Sequence, residues 1–179
     1  MLLLAIFIIV AVIEYFLKKE KAYKWKEYLF ISIVALIFGV VGFFNDQITV
    51  SISNDYFAIG KNLGGTSIRL NAAVLGFQAG SYAGILTSCI YLIVRKEIVI
   101  KQVLDWFVSI SKFSMLFITL GSFSGFCLFY LGWQLTSLAE FDLNFMVVWG
   151  WHLGLYLGLI IGTIKFFLNA KSALDERIN

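Results

Sequence analysis

The chain has 179 residues, 60% hydrophobic and only 14% charged, with a net charge of +3 and a mean hydropathy of +0.89. A soluble domain carries about a quarter charged residues. Too few polar side chains remain here to cover a water-facing surface, so the composition excludes an ordinary soluble domain, gives no basis for nucleic-acid binding, and implies one compact domain in a lipid bilayer.

Residues 1–17 form an apolar run with a single charge, Glu14. Such a run reaches about 25 Å as a helix, enough for a thin crossing. It lacks a basic start and a small-residue cleavage site, so it reads as a retained helix rather than a signal peptide. A basic loop with Lys18, Lys19, Lys21, Lys24 and Lys26 follows, then a second span over 28–44. Residues 45–69 are the longest polar interruption. Within them Ile48, Val50 and Ile52 alternate with Thr49, Ser51 and Ser53, a period of two that predicts a short strand or hairpin outside the membrane. Asn54-Asp55 marks a turn, and Gly60 and Gly64-Gly65 mark loop. The third span is expected over 70–94. Residues 95–111 mix charges with Trp106, Phe107 and aliphatics, which predicts an interfacial amphipathic segment. Spans four and five are expected over 112–133 and 145–168, joined by a loop with Glu140 and Asp142.

Lys and Arg cluster in the first loop, around residues 95–112 and toward the C-terminus, while Lys61 and Arg69 fall on the opposite side. Basic loops stay in the cytoplasm. The expectation is therefore an all-α protein of five transmembrane helices in a plasma membrane, N-terminus out and C-terminus in, with the 45–69 loop outside. Proline is absent, so bends fall to glycine.

Gly76, Gly80 and Gly84 recur every four residues in the third span, Gly121 and Gly125 in the fourth, and Gly150, Gly154, Gly158 and Gly162 in the fifth. Residues four apart share a helix face, and bare glycine lets backbones approach. The favoured reading is packing among spans three to five of one chain; the alternative is a homo-oligomeric channel lined by these stripes.

His152 is the only histidine, with Trp149, Trp151 and Tyr156 nearby in the sequence. Asn45, Asp46 and Gln47 end the second span at a comparable depth, and intramembrane polar groups face a bundle interior or a cavity. A polar pocket built from Asn45, Asp46, Gln47, Thr49, Asp55, Tyr56 and His152 is the candidate site. A His–carboxylate pair there fits three uses: proton or cation handling, acid/base chemistry, or a structural hydrogen bond, which is the default. One His and two Asp give no metal-ligand spacing. Cys89 and Cys127 lie in separate apolar runs at different depths, with no C-x-x-C, so neither a redox motif nor a disulfide between them is expected.

The loop Asn45-Asp46-Gln47-Ile48-Thr49, then Asp55-Tyr56-Phe57 and Gly60, resembles a pattern in a family of bacterial multi-pass membrane proteins that reads H-D-Q-I-T, E-Y-F and G-H. Those proteins share a small-residue third span and a His in the last span followed by Tyr and Gly, as in His152, Tyr156 and Gly158 here. The chain departs from the pattern with Asn45 for His, Asp55 for Glu and Lys61 for His. The resemblance implies a bacterial membrane protein whose outer loop matters; it implies no reaction and no cofactor. Taken together, a small non-enzymatic membrane protein is expected, handling a solute or ion in an outer pocket or serving as a subunit of a larger membrane assembly. The alternative is a membrane enzyme using Asp46 or Asp55 with His152.

Overall fold

The computed structural model describes residues 9, 12, 13, 16, 24–65, 67–95, 98–131 and 142–175, with side chains as far as Asn169. All regular structure among these residues is helical: α1 (Lys24–Ile52), a π-helical turn (Tyr56–Gly60), α2 (Ile68–Arg95), α3 (Ile100–Tyr130) and α4 (Leu143–Asp175). The helices α1, α2 and α3 and the 143–169 part of α4 are long and apolar enough to cross a membrane. The expected first span, 1–17, lies outside the described residues apart from helical Ile9, Val12, Ile13 and Phe16; so do Glu140 and most of the first basic loop.

Two expectations are corrected. No strand or hairpin follows the second span among the described residues. Ile48–Ile52 continues α1, whose 29 residues reach about 43 Å. A lone strand leaves its N–H and C=O groups without partners, whereas a helix satisfies them within the segment, and that requirement overrides an alternating side-chain pattern near lipid. The local bonds are helical too: Thr49 Oγ1 donates to Asn45 O, four residues back, at 3.1 Å. The interfacial segment expected over 95–111 is likewise no separate element, because α3 runs unbroken for 31 residues from Ile100. At about 46 Å it exceeds the roughly 30 Å hydrocarbon thickness, so its charged first turns and its apolar remainder form one continuous helix.

The chain divides into two compact units, residues 1–50 with 63–98, and residues 51–62 with 99–179. In the first, α1 and α2 form an antiparallel pair. Phe30 meets Tyr91 at 5.4 Å between ring centroids. Further along, a Cβ on Gly84 would press on Ala35 Cα, one on Gly80 on the Phe38 carbonyl, and one on Gly76 on the Gly42 carbonyl. At the far end Gln47 Nε2 donates to Arg69 O at 2.9 Å. The third span's glycine stripe is thus turned toward the second span. The packing expected among spans three to five therefore falls, for this stripe, between the second and third.

In the second unit α3 and α4 pair by the same device. Gly121 and Gly150 face each other so closely that a Cβ on either would overlap the other's carbonyl oxygen. Gly125 faces the Met146 carbonyl, Gly154 that of Phe117, Gly158 lies on Ser114 and Gly162 on Ile110. Ser109 Oγ adds a hydrogen bond to Gly162 O at 3.0 Å. Helices in lipid gain nothing by hiding apolar surface from water, so close backbone approach at small residues is what holds such a pair.

Candidate functional site

Within the second unit, the segment between α1 and α2 folds against the start of α4. Ser53 Oγ accepts the Tyr56 N–H at 3.2 Å and starts the π turn. Lys61 N–H closes it on Tyr56 O at 3.0 Å, five residues back. Beyond it the backbone turns at Asn62, whose φ of 51° is one that Asn tolerates better than most side chains. The turn buries Tyr56 and Phe57, at 4% and 0% exposure.

The start of α4 is set by Asp142, whose Oδ1 accepts the Phe145 N–H at 2.7 Å, satisfying one of the donors that a helix start leaves open. From there Phe145, Trp149, His152 and Tyr156 follow at i, i+4, i+7 and i+11, one stripe of the helix. By the 100° step of a helix this stripe lies on the side of α4 away from the glycines that meet α3.

The Tyr56 ring stacks on the His152 ring, 4.8 Å between centroids and 20° between planes. Phe57 meets the same imidazole edge-on at 6.0 Å, and Phe145 packs against Tyr56 at 5.5 Å. Gly60 permits this closure, since a Cβ there would stand 3.0 Å from Phe145 Cζ. His152 is 5% exposed, and its Nδ1 lies 2.9 Å from Val148 O. A carbonyl only accepts, so Nδ1 carries the proton, and in the neutral ring Nε2 is the acceptor nitrogen.

Beside this stack lies a cavity of about 270 Å³, lined by Tyr56, Gly60, Lys61, Phe145, Trp149, His152, Leu153 and Tyr156. Its floor is the buried Tyr56–His152 pair. Trp149, Leu153 and Tyr156 are exposed and form its flank. The Lys61 ammonium sits over the Tyr56 ring, 5.5 Å from the centroid, a cation–π distance. Among the described lining residues Lys61 is the one formally charged side chain with His neutral, and none of them is a carboxylate.

The sequence-chosen residues fall into two groups. Tyr56 and His152 come together in the second unit; Asp55 stands exposed just before the turn and makes no side-chain cap bond to it. In the first unit Asp46 is buried at 6% exposure, its Oδ1 accepting from Asn45 Nδ2 at 3.0 Å and its carboxyl lying over Gly76. Thr49 bonds back to Asn45, and Gln47 is engaged with Arg69. Gly60, Lys61, Phe145, Trp149, Leu153 and Tyr156 line the cavity but were not among the expected site residues. The ring spacing 145-149-152-156 was readable in the sequence; the return of the 56–60 turn onto it was not. Among the described residues no group of three or more His, Cys, Asp or Glu side chains could hold a metal ion. Comparison with protein families, curated proteins and solved structures yields no match.

Proposed function

We propose that this chain is a small non-enzymatic integral membrane protein that holds a small ligand in the pocket between the Tyr56–Gly60 turn and α4. The observation that carries this reading is the aromatic stack of Tyr56 on His152, buried at the floor of a cavity whose other wall is exposed. Concave sites with mostly apolar walls and a few converging polar groups are the usual form of ligand pockets. Nε2 of His152, the indole N–H of Trp149, the hydroxyls of Tyr56 and Tyr156 and the Lys61 ammonium are the polar groups that the lining residues carry.

In this reading the protein has five spans, the fifth being the apolar 1–17 run, and sits in a bacterial plasma membrane. Lys24 and Lys26 at the start of α1, Arg95 at the end of α2, Lys101 near the start of α3 and Lys165 in the last part of α4 support a cytoplasmic placement of those ends. The pocket then opens at the outer face. The glycine stripes meet helices of the same chain, which supports packing over a channel lining.

A pocket-filling variant tests the reading. Leu153→Trp places an indole in the cavity from its exposed wall. Mass spectrometry of protein gently extracted from its membrane should find a small molecule on the wild type and none on the variant, with equal helicity by circular dichroism. Equal occupancy of both proteins would overturn the proposal.

A further inference from the structure

Charge, depth and volume together restrict what the cavity can take. Among the described lining residues Lys61 is the only formal charge with His152 neutral, and it is a cation. The two carboxylates nearest in sequence stand apart from the lining: Asp142 is engaged as the cap of α4, and Asp55 is exposed ahead of the turn. A cationic ligand would enter a site already holding an ammonium, whereas an acidic head gains a charge-assisted hydrogen bond.

The lining descends along α4. From Phe145 to Tyr156 the helix rises about 16 Å, close to the depth of one hydrocarbon leaflet at about 15 Å. Lys61 stands toward the Phe145 end: a Cβ on the preceding Gly60 would lie 3.0 Å from the Phe145 ring, and the ammonium sits over Tyr56, which packs on Phe145. The deeper part is bounded by Leu153 and by the flat rings of Trp149 and Tyr156, all exposed. The ligand therefore meets a charged group at one end and apolar surface below it. At about 30 Å³ per water-sized group, 270 Å³ accommodates about nine such groups. That is an acidic head and the first carbons of one chain. A longer chain leaves along the exposed flank, where lipid surrounds the helix.

We infer that this pocket takes a single-chain amphiphile with an anionic head, carboxylate or phosphate, its head at Lys61 and its chain along Trp149 and Leu153 toward Tyr156. The inference rests on the pocket reading above and adds the class of ligand. The Tyr56–His152 pair forms the floor on which the head and first carbons lie. A free small anion shares the head chemistry but lacks the chain.

The test uses the full chain in nanodiscs of zwitterionic phosphatidylcholine, at a pH well above the carboxylate range, with binding counted by native mass spectrometry. The probes are dodecanoate, dodecanol, dodecyltrimethylammonium and acetate. Dodecanoate should bind one to a chain and more tightly than the other three. Lys61→Glu, an exposed position outside the long helices, should weaken it about tenfold, the scale of one hydrogen bond to a charged group, and Lys61→Arg should preserve it. Equal binding of dodecanol or dodecyltrimethylammonium, or no effect of Lys61→Glu, would overturn the anionic head. Acetate binding as tightly as dodecanoate would overturn the amphiphile in favour of a free anion. If Leu153→Trp leaves the binding of every probe unchanged, the pocket reading itself falls.

Discussion

Replacing Gly154 by alanine tests what holds α3 to α4. A methyl group there would stand 2.5 Å from the carbonyl carbon of Phe117, where ordinary contact begins at 3.4 Å. The obstacle is backbone, so no side chain can swing aside, and the helices must part locally by about 1 Å. Parting them also loosens Gly150 against Gly121 and Gly158 against Ser114. Overpacking of this kind costs about 1–3 kcal/mol. A backbone obstacle puts this site in the upper half of that range, about 2–3 kcal/mol; alanine's better helix propensity returns about 1 kcal/mol, leaving a net destabilisation of about 1–2 kcal/mol. Reversible unfolding in mixed micelles of mild detergent and dodecyl sulfate, followed by far-ultraviolet circular dichroism, measures it. Leu157→Ala is the control, because Leu157 is 49% exposed, and it should lie within about 0.5 kcal/mol of the wild type. A Gly154→Ala protein as stable as the wild type would refute the packing account. Gly154→Leu sharpens the test, since it should unfold the α3–α4 pair in the monomer. If instead the monomer stays folded and only an oligomer is lost, the stripe serves a second copy of the chain.

Gly121→Ala and Gly150→Ala remove facing glycines, so once one has forced the helices apart the second costs less; their double mutant should be destabilised by less than the sum of the singles, and additivity would show that the two do not share one contact. Asp142→Ala should cost about 1 kcal/mol by removing the cap on the Phe145 N–H, seen as faster hydrogen exchange confined to the first turn of α4; unchanged exchange there would refute the capping role. Gly76→Ala should strain the α1–α2 pair and displace the Asp46 carboxyl, which would lie 2.8 Å from the new methyl, and an unshifted melting temperature would argue against that contact. For the proposed orientation, a green fluorescent protein fused to the C-terminus should fluoresce and alkaline phosphatase inserted after Asn62 should be active in bacteria; the opposite pattern would invert the topology.

The sequence was sufficient for much of this protein because hydropathy acts locally. Long runs such as 28–44 and 145–168 have one stable form in lipid, and they lie within helices α1 and α4. Exact ends were harder to read. Polar residues at 45–52 and 100–111 look like breaks, yet a helix that outlasts the hydrocarbon keeps its hydrogen bonds through the interface and pays nothing for charge there. The period of two over Ile48–Ser53 misled for a related reason. A strand exists only through a partner, and a single segment does not show whether one is present.

The site was legible in parts. His152, Tyr56 and Asp46 stood out because polar side chains amid apolar runs are costly to bury without a reason. The four-residue glycine spacing showed that backbones approach somewhere but not which ones: opposing glycines such as Gly121 and Gly150 are identified only when both helices are in place. The pocket is of the same kind. Its α4 stripe is a local pattern, whereas its other wall comes from Tyr56, Gly60 and Lys61, some ninety residues earlier in the chain. What each segment becomes was determined by its own side chains and the lipid around it. Which faces meet, and therefore where a cavity opens, was decided by tertiary structure, because contact between distant residues depends on the shape complementarity of both partners at once.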